Sequence, residues 1–260
     1  MDYVVVCFVA FVASGLTLIS GFGLGTLLLP AFALFFPIST AVAVTAVVHM
    51  ANNLFKLGLV GLRADRRLVL RFGLPALVFA FLGALLLGYL AGLPPLVEYT
   101  VRGQAPQVRP VGLVVGAMMV VFALMDVLPR FEKVSIPPAW LPVGGALSGL
   151  IGGISGLQGA LRAAFLLRFK AALTKESFIA TNVVISVLVD VARIAVYGTT
   201  FRWSGAGDHL SWVVAATLSA FAGAHLGSRL MKQITMRSVQ RTVAAMLVLS
   251  SIGVASGFLG

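Results

Sequence analysis

Apolar residues run continuously in this sequence instead of alternating, over about 3–36, 38–62, 72–92, 110–129, 139–168, 177–199, 211–230 and 238–259. A helix needs roughly 20 apolar residues to cross about 30 Å of hydrocarbon. Only helices or closed barrels can satisfy their backbone groups there, and the lack of strict alternation selects helices. Six runs have the length of one crossing. The first and fifth are longer, and glycine interrupts both: Gly21, Gly23 and Gly25 in one, Gly152, Gly153, Gly156 and Gly159 in the other. Glycine weakens a helix interior and admits backbone conformations closed to other residues. Each long run is therefore either one over-long broken helix or a re-entrant hairpin that enters and leaves by the same face.

Charge separates the two readings. Of the 19 Lys and Arg, Lys56, Arg162 and Arg193 lie inside apolar runs and 16 lie in connections. If all eight runs cross, these divide 7 against 9, which is no bias. If the first and fifth are re-entrant, 13 fall on one side (Arg63, Arg66, Arg67, Arg71, Arg130, Lys133, Arg168, Lys170, Lys175, Arg229, Lys232, Arg237, Arg241) and 3 on the other (Arg102, Arg109, Arg202). Cytoplasmic connections carry the excess of Lys and Arg. The expected fold is thus an all-α polytopic membrane protein of two inverted repeats, residues 1–130 and 131–260. Each repeat is a re-entrant segment (3–36, 139–168) followed by three spans, with both termini outside the cytoplasm.

Composition agrees with that class. The chain is 60% hydrophobic and 10% charged over 260 residues, where a soluble domain carries about a quarter charged residues. The net charge of +11 sits in short connections and needs no nucleic acid to explain it. One cysteine, Cys7, excludes an internal disulfide and a Cys-rich metal site. The N-terminus lacks the basic region of a cleavable signal peptide, so the first run is expected to be retained. The polar gap at 92–109 is too short to fold alone.

The halves also match residue by residue. Ile19-Ser20-Gly21-Phe22-Gly23 aligns with Ile154-Ser155-Gly156-Leu157-Gln158 at an offset of 135. At an offset of 137, Thr45 pairs with Asn182, His49 with Ser186, Asn53 with Asp190, Lys56 with Arg193 and Gly61 with Gly198. Thr45, His49, Asn53 and Lys56 share one helix face at spacings of 4, 4 and 3. Asn182, Ser186, Asp190, Arg193 and Tyr197 repeat the stripe. Polar residues on an apolar span face the protein interior or a wet cavity, because lipid exposure is costly. Broken helices of inverted repeats meeting at the midplane are a recurring transporter plan.

Arg162 follows the second glycine break. A re-entrant tip presents backbone N–H groups and a positive dipole end to an anion, and a guanidinium adds a bidentate match to oxyanions. Gln158 can donate beside it, and Gly23, Gly25 and Gly159 let the backbone approach. The expected binding set is Arg162, Lys56, Arg193, Gln158, His49, Asn53, Gly23, Gly25, Gly159, Ser186 and Asn182, with His49 and Asp190 as a proton-coupling pair. Structural readings stand beside these. Asp190 and Arg193, at i and i+3, can neutralise each other, Lys56 can snorkel to the cytoplasmic edge, and Arg162 can cap carbonyls or pair with Asp190. His225, among Gly223, Ala224 and Gly227, reads as close helix packing, and Asp126 as interfacial; Asp208 and His209 belong to an outer connection. Gly21-Phe22-Gly23-Leu24-Gly25 follows no strand and is no phosphate loop. Hydrolase and metalloprotease motifs are absent, and no cofactor is expected.

With these residues in view, the chain resembles the sulfite exporter TauE/SafE family, also called the four-toluene sulfonate uptake permease family, over essentially its whole length. One carrier of the resemblance is Gly21-Phe22-Gly23-Leu24-Gly25-Thr26 leading to Pro30. The other is Ser155-Gly156-Leu157-Gln158-Gly159-Ala160-Leu161-Arg162-Ala163-Ala164-Phe165-Leu166, followed by Thr181 and the stretch to Tyr197. The family commonly shows several glycines and then Leu-Arg-Ala-Pro. Here Gln158 and Ala160 stand for glycines and Ala164 for proline, a departure that bears on substrate identity more than on fold. The resemblance implies transport of sulfite or organosulfur anions, such as sulfonates and sulfoacetate-like compounds, across the inner membrane. The expected partners are a small anion and the bilayer, and a homo-oligomer is compatible with the plan. A passive anion channel and a carboxylate transporter of the same fold are the alternatives.

Overall fold

The computed structural model describes residues 2–20, 24–60, 63–101, 103–127, 137–166, 169, 173–200, 206–230 and 236–259. Among the described residues, ten α-helices carry the fold: α1 (Asp2–Ser20), α2 (Leu24–Ala33), α3 (Ile38–Val60), α4 (Arg66–Gly92), α5 (Pro110–Val127), α6 (Leu141–Ser155), α7 (Gly159–Leu166), α8 (Lys175–Thr200), α9 (Ala206–Leu230) and α10 (Met236–Ser256). Outside the description lie Gly21, Phe22, Gly23 and Gly61, and the connecting cations Arg102, Arg130, Lys133, Arg168, Lys170, Arg202 and Lys232. The side chains of Asp126, Lys175, Asp208, His209, Arg229 and Arg237 lie outside it as well.

The second over-long run is broken where its glycines cluster, giving α6 and α7; the first is described as α1 and α2. Of the expected spans, Ile38–Gly58, Arg66–Gly92 and Glu176–Thr200 are long and apolar enough to cross a membrane. Pro110–Met125, Leu210–Leu226 and Val243–Ser256 are shorter apolar stretches. α4 starts six residues before its apolar run, because Asp65 caps it by accepting from the Leu68 N–H at 2.9 Å. It passes through a wider π turn at Val69–Gly73, just ahead of Pro75. Proline has no N–H for the preceding turn and its ring crowds the carbonyl four residues back; a π-bulge absorbs such a misfit. The gap at 92–109 holds a short antiparallel hairpin, β1 (Val97–Glu98) and β2 (Gln107–Val108).

Aromatic contacts show how the first broken segment runs. Tyr3, at its start, stacks on Trp212 with ring centroids 4.0 Å apart. Phe35 and Phe36, just after its end, meet the same indole at 5.4 and 5.3 Å. Two helices separate those points in sequence, yet both points reach the start of α9. In the second segment, Phe165 near the end of α7 fills the space beside Gly144 near the start of α6. Both segments double back. Their breaks meet, since a Cβ at Gly25 would lie 3.0 Å from the Gly156 carbonyl oxygen.

Packing between the halves is reciprocal. α1 packs on α9, and α6 on α4; α8 also packs on α4, and α3 on α9; α2 meets α10, and α7 meets α5. α3 packs on α8 and α5 on α10. Adding five to each helix number in the first half gives its counterpart, and every contact in this set has its mirror. Small residues make the closest approaches possible. Gly145, Gly149 and Gly153, four apart on α6, lie against the backbone of Phe72, Ala76 and Ala80 on α4, and a Cβ at any of them would overlap that backbone. Gly223 of α9 meets the Phe11 backbone of α1 in the same way, whereas His225, two residues on, is exposed.

The remaining contacts sort the ends of the helices. Tyr99, in the β1–β2 hairpin, donates to the Ser256 carbonyl at 2.6 Å, so the 92–109 connection and the C-terminus share one end. At another end, the Asp65 N–H donates to Thr181 Oγ at 2.8 Å, joining the start of α4 to the first turns of α8.

Candidate functional site

The stripes on α3 and α8 face each other across their packed helices, with Asp190 at the centre. Its Oδ2 lies 2.7 Å from His49 Nδ1 and accepts from Asn53 Nδ2 at 3.3 Å. Its Oδ1 accepts from Arg193 Nε at 2.9 Å and lies 2.8 Å from Arg193 Nη2. A carboxylate accepts only, which puts a proton on His49 Nδ1, and the Asn53 amide nitrogen lies 3.1 Å from the same ring nitrogen. Asp190 and Arg193 are both fully buried, so the i, i+3 neutralisation expected as a structural reading is present. Two further donors from α3 complete the carboxylate's shell.

Arg193 also reaches away from Asp190. Its Nη1 donates to the Gly152 carbonyl at 3.3 Å, and Tyr197, one turn on, donates to the Gly153 carbonyl. These carbonyls belong to the last turn of α6, where the Gly152 carbonyl also accepts the Gly156 N–H at 2.8 Å. Gly156 ends α6 with φ +76°, the left-handed conformation that favours glycine at a helix C-terminus. A Cβ there would lie 2.5 Å from Arg193 Nη1. α8 thus pins the end of α6 through two side chains, and the glycine leaves room for the guanidinium.

α7 opens immediately after this break. The Gln158 carbonyl accepts the Arg162 N–H at 3.0 Å, the first bond of the helix. Gln158 and Arg162 are only 1% and 4% exposed. Arg162 Nε donates to Asn182 Oδ1 at 3.2 Å, and Asn182 Nδ2 donates back to the Phe178 carbonyl at 2.9 Å. Arg162 Nη1 and both polar atoms of the Gln158 amide have no hydrogen-bond partner among the described residues. Among the described residues, Arg162 is therefore held through Nε and open at Nη1, neither capping a carbonyl nor within ion-pair distance of Asp190. It stays within electrostatic reach of Asp190 and of Lys56.

The other expected residues are distributed around these two groups. Lys56 is buried on α3 and does not snorkel out. Ser186 is buried, its hydroxyl turned back to the Asn182 carbonyl at 2.9 Å. Gly159 is the buried first residue of α7. Gly25 sits at the contact between the two breaks, and Gly23 lies outside the described residues. Three more polar groups belong here: Thr45 and Tyr197, named in the sequence only as members of the stripes, and Ser14, which the sequence reading missed. Thr45 keeps a buried hydroxyl without a partner among the described residues, close to Gly25. Ser14 donates to Asn52 Oδ1 at 2.8 Å, tying α1 to α3; a second asparagine beside Asn53 in an apolar run was its only signal. Tyr197 anchors the end of α6.

The family model for the sulfite exporter TauE/SafE matches residues 6–254. The chain belongs to that family. No curated protein and no solved structure matches it. TauE/SafE proteins are membrane transporters of sulfur anions, and this chain is a multi-pass helical member. The match takes in both glycine breaks and both polar stripes, so every residue of the site lies within the family region.

Proposed function

We propose that this family member is a secondary transporter for a small organosulfur or sulfur oxyanion, such as sulfite or a sulfonate of the sulfoacetate type. The anion is held near the midplane, where the breaks at Gly25 and Gly156 meet the α3 and α8 stripes. One observation carries the reading: buried Gln158 and Arg162, one turn apart at the start of α7, keep polar atoms without partners. A buried donor left unmade costs about 1–3 kcal/mol, and an oxyanion supplies the acceptors. The first N–H groups of α7 point the same way. Lys56 adds charge to the site. Asn182 orients Arg162, Gly25 and Gly159 admit close approach, and Ser186 and Asn53 line the stripes. Arg193 is the frame of the site, and the His49–Asp190 pair couples transport to a proton.

Two inverted repeats with re-entrant tips, in the inner membrane, complete the proposal. Reciprocal packing supports a two-fold relation. So does the contact of Asn53 with Asp190, which are equivalent positions in the two halves: a two-fold brings equivalents together only near its axis. Three spans per half then make the halves antiparallel. The site is occluded in this conformation, as alternating access requires and an open pore does not. A carboxylate would satisfy the same donors, and competition between sulfonate and carboxylate analogues ranks the two classes.

Arg162→Ala is expected to weaken binding of sulfite and simple sulfonates to purified protein by roughly 10- to 100-fold, the range of a lost charged hydrogen bond. Isothermal titration measures it, and wild-type affinity in the variant removes the site. For topology, a reporter active only in the cytoplasm and fused after Gly260 is expected to stay dark. A bright reporter reverses the orientation.

A further inference from the structure

Around the first turn of α7 almost every polar group is a donor. Arg162 brings Nη1, the α7 backbone brings its N–H groups, and Lys56 brings an ammonium within electrostatic reach of Arg162. Sulfite or a plain alkanesulfonate, whose oxygens only accept, would serve all of these. One group in the site is left over. Gln158 Oε1 is an acceptor, it is buried, and nothing among the described residues donates to it. Exchanging the amide's oxygen and nitrogen does not help, because both ends are without partners; whichever way it points, one carbonyl needs a donor. The amide has a defined seat as well. It lies against the last turn of α6, where Gly152 has no side chain, and a Cβ added there would come within 3.0 Å of Oε1 and 3.1 Å of Cδ.

We propose, resting on the anion site above, that Gln158 selects sulfur oxyanions that also carry a hydroxyl group, the hydroxyl donating to its side-chain carbonyl while the acid oxygens face Arg162. A short hydroxyalkanesulfonate is the matching class. An ammonium could donate too, but the charges of Arg162 and Lys56 oppose it. A substrate without the hydroxyl leaves a buried carbonyl unmade at about 1–3 kcal/mol. Sites built to bond a substrate hydroxyl discriminate against the analogue lacking it for this reason.

The test compares 2-hydroxyethanesulfonate with ethanesulfonate, by isothermal titration on the purified full chain and by counterflow in proteoliposomes. Wild type is expected to prefer the hydroxylated probe by about tenfold. In Gln158→Met, which keeps the length of the side chain and removes its hydrogen bonds, the ratio of the two affinities is expected to fall to about one. Gln158→Gly is a second variant should the first fail to fold, with melting temperature as the check, and its ratio is expected to be about one as well. Equal affinities in wild type, or a tenfold ratio that survives both substitutions, overturns the selection by Gln158. Equal affinities that are both lost in Arg162→Ala overturn it while leaving the anion site standing. Failure of wild type to bind either probe or sulfite removes the site itself.

Discussion

Asp190→Ala is expected to destabilise the folded protein by about 3–5 kcal/mol, the cost of removing one partner from a buried ion pair, and to abolish transport. Among the described residues Asp190 is the single carboxylate at the crossing of α3 and α8, and four nitrogen atoms converge on it. Without it the Arg193 guanidinium is left fully buried with no anion to balance its charge, only the neutral Gly152 carbonyl and Tyr197 hydroxyl. His49 and Asn53 lose their common acceptor in the same step, so α3 and α8 lose the polar join between them. Replacing both members of the pair changes the outcome, because a buried pair exchanged for apolar groups of similar volume is often neutral in stability. Asp190→Leu combined with Arg193→Met is therefore expected to recover most of the melting temperature while remaining inactive. Thermal unfolding in detergent measures the first result and proteoliposome uptake the second. A single Asp190→Ala variant that melts like wild type would show that the cluster contributes nothing to the fold.

The second large effect is at Gly153. An alanine there would drive its Cβ into the Ala80 carbonyl oxygen, and would also come within 2.8 Å of the Ala84 nitrogen and 2.9 Å of the Gly83 Cα. All three are backbone atoms of α4, which no rotamer change can move. The helices must separate, and Gly153 is also the residue whose carbonyl Tyr197 holds. Overpacking of this kind costs about 1–3 kcal/mol, and the displacement passes directly to the break at Gly156 and the start of α7. Gly153→Ala is expected to lose both melting temperature and anion binding. Gly58→Ala and Gly198→Ala are the matched controls. A Cβ at either meets nothing within 4 Å, and alanine is the better helix former by up to about 1 kcal/mol, so those variants are expected to be neutral or slightly stabilised. Equal behaviour of all three would mean that the α4–α6 contact does not set the geometry of the break.

What could be read from the sequence follows how far each signal reaches along the chain. Apolar runs and glycine clusters are local, and they located the described helices and the break at Gly156 to within a few residues. The 4, 4, 3 spacing of Thr45, His49, Asn53 and Lys56 is also local, and it named one face of α3. A face does not name its partner. That His49 and Asn53 share the carboxylate of Asp190, more than 130 residues away, needed the register between α3 and α8, which no spacing within one helix carries. The structural and functional readings of Arg162 and Arg193 were likewise open until their neighbours were known. Arg193 is ion-paired with Asp190 and bonded to Gly152, whereas Arg162 has no carboxylate within ion-pair distance among the described residues. The hydrogen bond between Ser14 and Asn52 had almost no signal, since one serine in an apolar helix is unexceptional.

The reciprocal clasp of α1 on α9 and α6 on α4 also fixes an order of events during synthesis. α6 finds α4 already made when it emerges. α1 does not find α9, because roughly 190 residues separate them, or about 10–40 s at ordinary elongation rates. For that interval the close backbone approach at Phe11 is without its final neighbour, Gly223. Of the helices described here, α1 is thus made before the others and is among the last to be seated. Its final packing waits until α9 has been translated.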